Sequence, residues 1–497
     1  MKKYTHLLLT FMLLFSFGFA SNKDAENQSL VRNEMKFYSD HIIDTTEVIN
    51  DRIRIIGGDL FVYGETNNTI IVLGGDVTIG ATAIINSEIV VMGGTVQIHE
   101  GAVVTGKIKE ANLNEGLVYR EIFTDSAQTK KHTIFELKNK SEWLRKGWIH
   151  PNYNFFVYNR NEGARLTFFN HDYDHGDRSP FRLSISTAYR TAPNDFSGRI
   201  SFEKSFFKNR FFILYASAFK EAVSDDEYRL KEAENTLTSF FARQDFYDRW
   251  DETGLELGFG FDFSFLKLKG KFVRAVQSEI PVDQGFGSFS NNKSELRDNP
   301  LMDKTDVEYL EGIIAFRTAS YAPFSTGLAI LSKAEMITKS DSLLSKPTFR
   351  MTQIAIANWE ISEGLVLRNR FILGMGSESL PIFRQFGIGG LGSVSAQTYK
   401  AQLGNHMAQV NTELLFMEEF TQSWFMVKLF YDAGMAFNSP NFIDIDYIST
   451  HQNIWLESAG IGFGWDDKNE FDWGFNFAKP LGNDGSIETT IRLNLNF

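Results

Sequence analysis

The sequence predicts an all-β chain: a transmembrane antiparallel β-barrel of about sixteen strands, preceded by a short right-handed β-helix or solenoid. Three observations carry this reading. First, 47 phenylalanines and a 14% aromatic share coexist with a mean hydropathy of only −0.21. That balance excludes a bundle of membrane helices and suits strands with one apolar and one polar face. Second, alternating runs separated by Gly, Asn, Asp and Ser turns fill residues 150–497. Third, a glycine-pair repeat of short period occupies residues 51–110.

The strand count follows from length. The 348 residues from 150 to 497, at ~22 residues per strand and connection with ~9–11 crossing the membrane, give about sixteen strands. Within them Phe259, Phe261, Phe263 and Phe265 share one face, with Glu256, Asp262 and Ser264 opposite. The phase flips at Leu266, which calls for a bulge or a hairpin turn. At the C-terminus Ile487, Thr489, Ile491, Leu493, Leu495 and Phe497 alternate with Glu488, Thr490, Arg492, Asn494 and Asn496. One face suits lipid and the other water.

Residues 1–20 read as a cleavable export signal: Lys2 and Lys3 precede the apolar run Leu7 to Phe19, and Gly18-Phe19-Ala20 offers small residues for cleavage. Losing those two lysines takes the formal charge from −12 to −14. An acidic chain with no polybasic stripe excludes nucleic acid as a partner. The lack of cysteine excludes disulfides and zinc-thiolate sites. No later segment is long and apolar enough for a membrane helix, so strands must make any span.

Residues 21–50 read as a polar linker. From there IIGGDLFV (55–62), VLGGDVTI (72–79) and VMGGTVQI (91–98) repeat, with glycine pairs at 57, 74 and 93, spaced by 17 and 19 residues. A period near 18 is too short for helical repeats and fits one coil of a β-solenoid. Ile56, Leu60, Val62, Leu73, Val77, Ile79, Met92, Val96 and Ile98 are the expected interior. This repeat resembles a short bactofilin-type β-helix, which implies either a module that binds a partner or self-assembles, or a capped spacer. Residues 111–149 form a linker in which His132–Trp148 reads as a helix.

The most informative stretch is PIFRQFGIGGLGSVSAQTYKAQLGNHMAQVNTELLF, 381–416. Gly387, Gly389, Gly390 and Gly392 let the backbone turn sharply or approach another surface closely. The chain then returns to a strand, with Val410, Thr412, Leu414 and Phe416 on one side and Asn411, Glu413 and Leu415 on the other.

This stretch resembles the inward-folded sixth loop of the BamA/TamA-type outer-membrane assembly barrels, a superfamily that includes two-partner secretion transporters. Their pattern is Gly-Gly, a short spacer, and a hydrophobic residue followed by Arg-Gly-Tyr or Arg-Gly-Phe. Here Gly389, Gly390, Gly392, Ser393 and Val394 keep the frame, while Ser395-Ala396-Gln397 replaces the arginine motif. The resemblance implies an inner loop facing acidic wall residues, matched by Glu413 and by Asp432 in FYDAG. A serine cannot make the bidentate contact of an arginine with a carboxylate. YNRNEG (158–163) is similar to the family's first strand, and residues 234–250 resemble a loop and strand of Bacteroidetes-type members. The terminal strand, through Ile491, Leu493, Leu495 and Phe497, resembles the family's insertion signal. In place of the family's POTRA modules stands the solenoid.

The resemblance implies a protein of the cell outer membrane with its N-terminal domain in the periplasm, in contact with outer-membrane lipid. It implies a divergent assembly or translocation factor; the alternatives are an anchor that docks an outer-membrane or periplasmic protein through the solenoid, and a pore. Enzymatic chemistry has one candidate, HDYDHGD (171–177), whose histidines and aspartates could hold a cation or activate water. A solvated loop between early strands is the simpler reading. There is no His-Glu-x-x-His motif, and no Gly-Lys-Ser/Thr follows the glycine-serine turn at 285–292. A non-enzyme without metal or cofactor is expected.

Overall fold

The computed structural model describes residues 35–37, 40–112, 116–122, 129–136, 155–174, 181–206, 212–262, 266–283, 296–317, 326–340, 347–421, 425–441, 444–451, 454–465, 473–482 and 485–493. The proposed signal at 1–20 lies outside them.

The repeat folds as a three-sided solenoid. One parallel sheet stacks Met35–Phe37, Ile53–Ile56, Ile70–Leu73, Ile89–Met92 and Ile108–Asn112; a second stacks His41–Ile43, Leu60–Val62, Val77–Ile79 and Val96–Ile98; a third runs from Val48–Ile49 to Val103–Val104. Leu60, Val62, Val77 and Ile79 are fully buried, as expected. Aspartates tie the corners. Asp40 accepts from the Asp59 amide (2.8 Å), Asp59 from the Asp76 amide (2.9 Å), and Asp76 from the Thr95 amide (2.9 Å). At the last coil the Glu110 carboxylate receives the Val96 amide, a donor that earlier coils send to the next coil's carbonyl.

Three expectations are corrected here. The solenoid starts by Met35, inside the stretch read as a linker over 21–50, and its strands continue to Asn112. The first coil escaped notice because Tyr38-Ser39 stands where later coils carry Gly-Gly, although Asp40 keeps the corner. In the first sheet Ile53, Ile55, Ile70, Val72, Ile89 and Val91 point inward, while Ile56, Leu73 and Met92 lie on the outer side. That sheet is apolar on both faces, so alternation could not set its phase. Third, Thr129–Glu136 is a strand, paired antiparallel to Gly116–Ile122 with His132 opposite Tyr119. β-branched Thr133 and Ile134 suit that ladder, so no helix begins at His132; residues 137–148 lie outside the described ones.

The barrel sheet has sixteen antiparallel strands in sequence order: β1 (Phe156–Asn159), β2 (Gly163–Asp174), β3 (Phe181–Arg190), β4 (Asp195–Phe206), β5 (Phe212–Val223), β6 (Trp250–Asp262), β7 (Leu266–Glu279), β8 (Thr305–Arg317), β9 (Gly327–Ser340), β10 (Thr348–Ser362), β11 (Leu365–Gly376), β12 (His406–Phe416), β13 (Met426–Phe437), β14 (Leu456–Trp465), β15 (Trp473–Pro480) and β16 (Glu488–Leu493). Leu255 and Leu257 on β6 are each 63% exposed, while Glu256 between them is 6% exposed. The wall is thus turned out at its apolar residues and in at its charges, the reverse of a soluble sandwich. Phe196, Phe202, Phe259, Phe371 and Ile491 continue the outer band.

Asp262 ends β6 and Leu266 begins β7, in register through Asp262 opposite Lys267, so the flip at Leu266 is a hairpin. Phe263, Phe265, Leu495 and Phe497 lie outside the described residues. His171 to Asp174 belong to β2, paired with Arg182 to Ile185 of β3, and not to a loop. Among the described residues no ladder joins β1 to β16. A helix, α1 (Glu232–Leu237), bonds to both edges: the Thr236 hydroxyl accepts from the Tyr158 amide of β1 at 3.3 Å, and Glu234 pairs with Arg492 of β16.

Ile79→Ala removes a fully buried side chain and is expected to cost about 2–5 kcal/mol. Hydrogen exchange on the full chain should show faster exchange at 60–62 and 77–79, with the barrel strands unchanged.

Candidate functional site

The segment between β11 and β12 folds as a hairpin, Phe386–Ile388 against Gln402–Gly404, with a glycine-rich tip between them. Its apolar side, Phe386, Ile388 and Val394, packs with Ile372 of β11 and Met407 of β12 in a buried cluster. The wall makes room: a Cβ on Gly374 of β11 would lie 2.6 Å from the Phe386 ring. Gly392 has φ 76°, and a Cβ there would meet the Arg229 carbonyl oxygen at 2.1 Å, so this position requires glycine.

The polar side of the tip is held by cations acting on backbone carbonyls. Arg229, on the segment between β5 and β6, donates from Nη1 to the Gly389 oxygen (3.1 Å) and from Nη2 to the Gly387 oxygen. Arg370 of β11 donates from Nη2 to the Gly392 oxygen (2.6 Å) and from Nε to Asn411 Oδ1 (3.0 Å). The Ser393 hydroxyl donates to Gln409 Oε1 at 2.8 Å, and the Gly390 amide donates to the Val394 oxygen at 3.1 Å. The Ser395 amide donates to Asp432 Oδ2 (3.2 Å), whose Oδ1 accepts from Asn411 Nδ2 (2.8 Å).

A second set of bonds fixes the base of the tip. Lys400 Nζ lies 2.9 Å from Asp226 Oδ2 and 2.6 Å from Asp248 Oδ2. Asp226 also accepts from the Tyr399 hydroxyl (3.0 Å) and the Asp248 amide (3.0 Å). Asp248 further pairs with Arg160 at 2.9 Å and with Arg297 at 2.5 Å, so the β1–β2 turn and the β7–β8 segment join the cluster. Arg384 pairs with Asp225 and, at 2.8 Å, with Glu335 of β9.

The sequence-predicted residues thus divide. Gly389, Gly390, Gly392, Ser393, Val394 and Ser395 lie together in the docked tip, and Asp432 meets it through the Ser395 amide. Glu413 is instead engaged by Arg368 of β11 and, at 3.0 Å, by Lys428 of β13, both wall residues. The guanidinium groups on the tip's carbonyls come from the wall, Arg370, and from a neighbouring loop, Arg229, while Lys400 at the base of the tip is its own cation. Sequence reasoning missed Arg229, Arg370, Asp226, Asp248 and Lys400. Arg368 and Arg370 had a signal: they alternate with Leu367, Asn369 and Phe371, so a strand with Phe371 turned outward must aim both guanidinium groups inward.

Burial works to raise the Asp226 and Asp248 carboxyls, but Lys400, with Arg229 at Asp226 and Arg297 at Asp248, outweighs it and holds both below the usual carboxylate range. Burial works to lower Lys400, and Asp226 foremost raises it above its ordinary value.

No family model matches the chain, and no curated protein does. Among solved structures it is similar to BamA from Haemophilus ducreyi lacking POTRA domains 1–3, at 14% identity over 68% of this chain and 69% of that one, TM-score 0.44. CdiB from Acinetobacter baumannii follows at 10% identity over 68% and 56% of the two chains, TM-score 0.36. CdiB from Escherichia coli matches at 11% identity over 67% and 59%, TM-score 0.36. The chain spans less than two thirds of either CdiB. The barrel fold stated above rests on this chain's own ladders.

Depressed carboxyl values stabilise docking above the unfolded value of about 3.9, and that stability is lost as pH falls through the folded value. The raised Lys400 stabilises below about 10.4 and is lost only at higher pH. Proteolysis of the tip should therefore be slow and constant from about pH 5 to 9, and accelerate below about pH 4. Lys400→Met leaves two buried carboxylates short of a cation, costs about 3–5 kcal/mol, and should make the tip protease-sensitive at pH 7.

Proposed function

We propose that this chain is an outer-membrane β-barrel that assists insertion or translocation of other polypeptides by offering a sheet edge at the β1/β16 boundary. The observation that carries the proposal is the character of that boundary. Within the described residues the edge strands are Phe156–Asn159 of β1 and Glu488–Leu493 of β16. No ladder joins them, and α1 reaches both from within. A sheet edge without a ladder partner is a template for an incoming strand. The tip, with Gly389 to Ser395 docked against Asp432 and the Ala396 amide bonded to Glu488 of β16, braces the wall on the β16 side of that boundary. The outer band of phenylalanine and leucine supports a lipid-embedded wall. In this reading residues 1–20 direct export, the solenoid faces the periplasm, and the terminal strand with Ile491, Leu493, Leu495 and Phe497 is the chain's own insertion signal.

The anchor role is supported by one separate observation, the apolar outer side of the first solenoid sheet at Ile56, Ile71, Leu73, Val90 and Met92. A protein partner seated there would leave when residues 35–112 are deleted. A wide pore fits poorly with a lumen entered by several buried loops, and no catalytic role is proposed.

A photo-crosslinking residue at Phe156 of β1 is expected to capture a strand-rich polypeptide during outer-membrane protein synthesis. The same residue at Leu373, outward on β11, should not. Equal capture at both sites, or a depletion strain with an unchanged outer-membrane protein profile, contradicts the proposal.

A further inference from the structure

The segment between β5 and β6 does not stay in the lumen. Its neck is buried and closed on itself: the Phe246 amide donates to Asn235 Oδ1 at 2.8 Å, and Asn235 Nδ2 donates to Asp245 Oδ1 at 2.9 Å. The Arg160 amide, in the β1–β2 turn, donates to Asp245 Oδ2 at 3.1 Å and fastens the neck to the first hairpin. From the neck the chain runs through the end of α1 into a π turn, Thr238–Ala242, and reverses at Arg243, a non-glycine residue with φ 55°. A π turn beside a left-handed arginine is a costly way to close a loop, and such geometry collects at functional positions.

Where this finger goes is set by its contacts with the two edge strands. Glu234 pairs with Arg492 of β16, whose neighbour Ile491 is turned outward, so Glu234 is on the inner side. Thr236 meets the backbone edge of β1 at the Tyr158 amide. Phe240 then packs edge-on against Phe156, at 6.0 Å between centroids, and against Tyr158, at 5.4 Å. Those two rings mark the outer side of the wall: Phe156 is opposite Leu166, Leu166 opposite Tyr189, and Tyr189 opposite Phe196 of the outer band. Tyr158, two residues from Phe156, shares that face, yet it is only 3% exposed against 38% for Phe156, with Phe240 lying over its ring. Between Glu234 and Phe240 the chain therefore passes from an inward arginine to the outward face of β1. The tip is apolar and open: Phe241 is 54% exposed, and Leu237 is exposed as well, beside a face that carries Phe156, Leu166 and Phe168. An exposed apolar surface joined to a lipid-facing wall is complementary to hydrocarbon.

We infer that residues 236–244 are a finger that leaves the lumen between β1 and β16 and seats Leu237, Phe240 and Phe241 among the acyl chains of the membrane, so that the chain itself fills the boundary of its own wall. Bilayer hydrocarbon is the occupant because the tip is continuous with the outer band. Such a finger requires a lipid-embedded wall and does not depend on strand capture at β1.

The chain has no cysteine, so single cysteines can be labelled without background. Phe241→Cys, carrying a nitrobenzoxadiazole fluorophore on the full-length protein, is reconstituted into phosphatidylcholine vesicles with and without doxyl-labelled phosphatidylcholine. Phe168→Cys, outward on β2, is the lipid reference, and Ala81→Cys, exposed on the solenoid, the aqueous one. Phe241→Cys is expected to emit at the blue-shifted wavelength of Phe168→Cys and to lose the same fraction of its intensity to doxyl lipid, with no loss at Ala81→Cys. Each variant should keep the wild-type heat-shifted migration on gels; if Phe241→Cys unfolds, Leu237→Cys takes its place. Loss at Phe168→Cys with none at the finger overturns the finger and leaves the wall standing, and no loss at either position overturns both. Capture at Phe156 is read separately, so failure of the strand-accepting edge and failure of the finger are distinguishable.

Discussion

Everything inside this barrel depends on where Asp226 finds its counter-charges. A carboxylate removed from water is costly unless cations and hydrogen-bond donors surround it. Asp226 meets that requirement by collecting Lys400, Arg229, the Tyr399 hydroxyl and the Asp248 amide. Two of these, Tyr399 and Lys400, belong to the inner tip; the others belong to the segment between β5 and β6. One buried anion therefore makes the two longest inner segments fold as a unit. Asp248 extends the unit to Arg160 and Arg297. Breaking such a network at any member leaves charge without compensation, which is why the arrangement specifies a single docked geometry more than it adds net stability.

The tip itself presents acceptors. Three glycine carbonyls, of Gly387, Gly389 and Gly392, receive guanidinium donors from Arg229 and Arg370. Guanidinium groups suit this task because their planar fork can serve two oxygens at once. These guanidinium donors sit on the wall and on a neighbouring loop, and Asp432 is satisfied by the Ser395 amide and by Asn411. The docked tip lies against β11 to β13 and also reaches β14, where Gln397 Nε2 donates to the Glu457 carbonyl at 3.3 Å, and β16, where the Ala396 amide bonds to Glu488, so it ties the wall to one of the two edge strands.

Much of the architecture was legible in the residues. The solenoid coils showed through their glycine pairs, and the barrel through amphipathic strands such as Leu255-Glu256-Leu257. The strand count followed from length alone. The first coil was not legible because it keeps Asp40 but lacks the glycines. The phase of Ile53–Ile56 was not, because a sheet apolar on both sides carries no alternation. Within the site, the glycine frame and Asp432 could be found by pattern. Glu413 could not be assigned, since its partners Arg368 and Lys428 sit on neighbouring strands far apart in sequence. Asp226 and Arg229 carry no sequence motif, and only the fold shows that they are enclosed.

The most direct measurement is hydrogen–deuterium exchange of the protein in native membranes across residues 386–404. A docked tip, with its amides and carbonyls engaged by wall and loop, should exchange as slowly as β12 and β13. Exchange as fast as an exposed loop, with β12 and β13 still protected, would show that the charges at Asp226 do not hold the tip inside and would contradict the central claim.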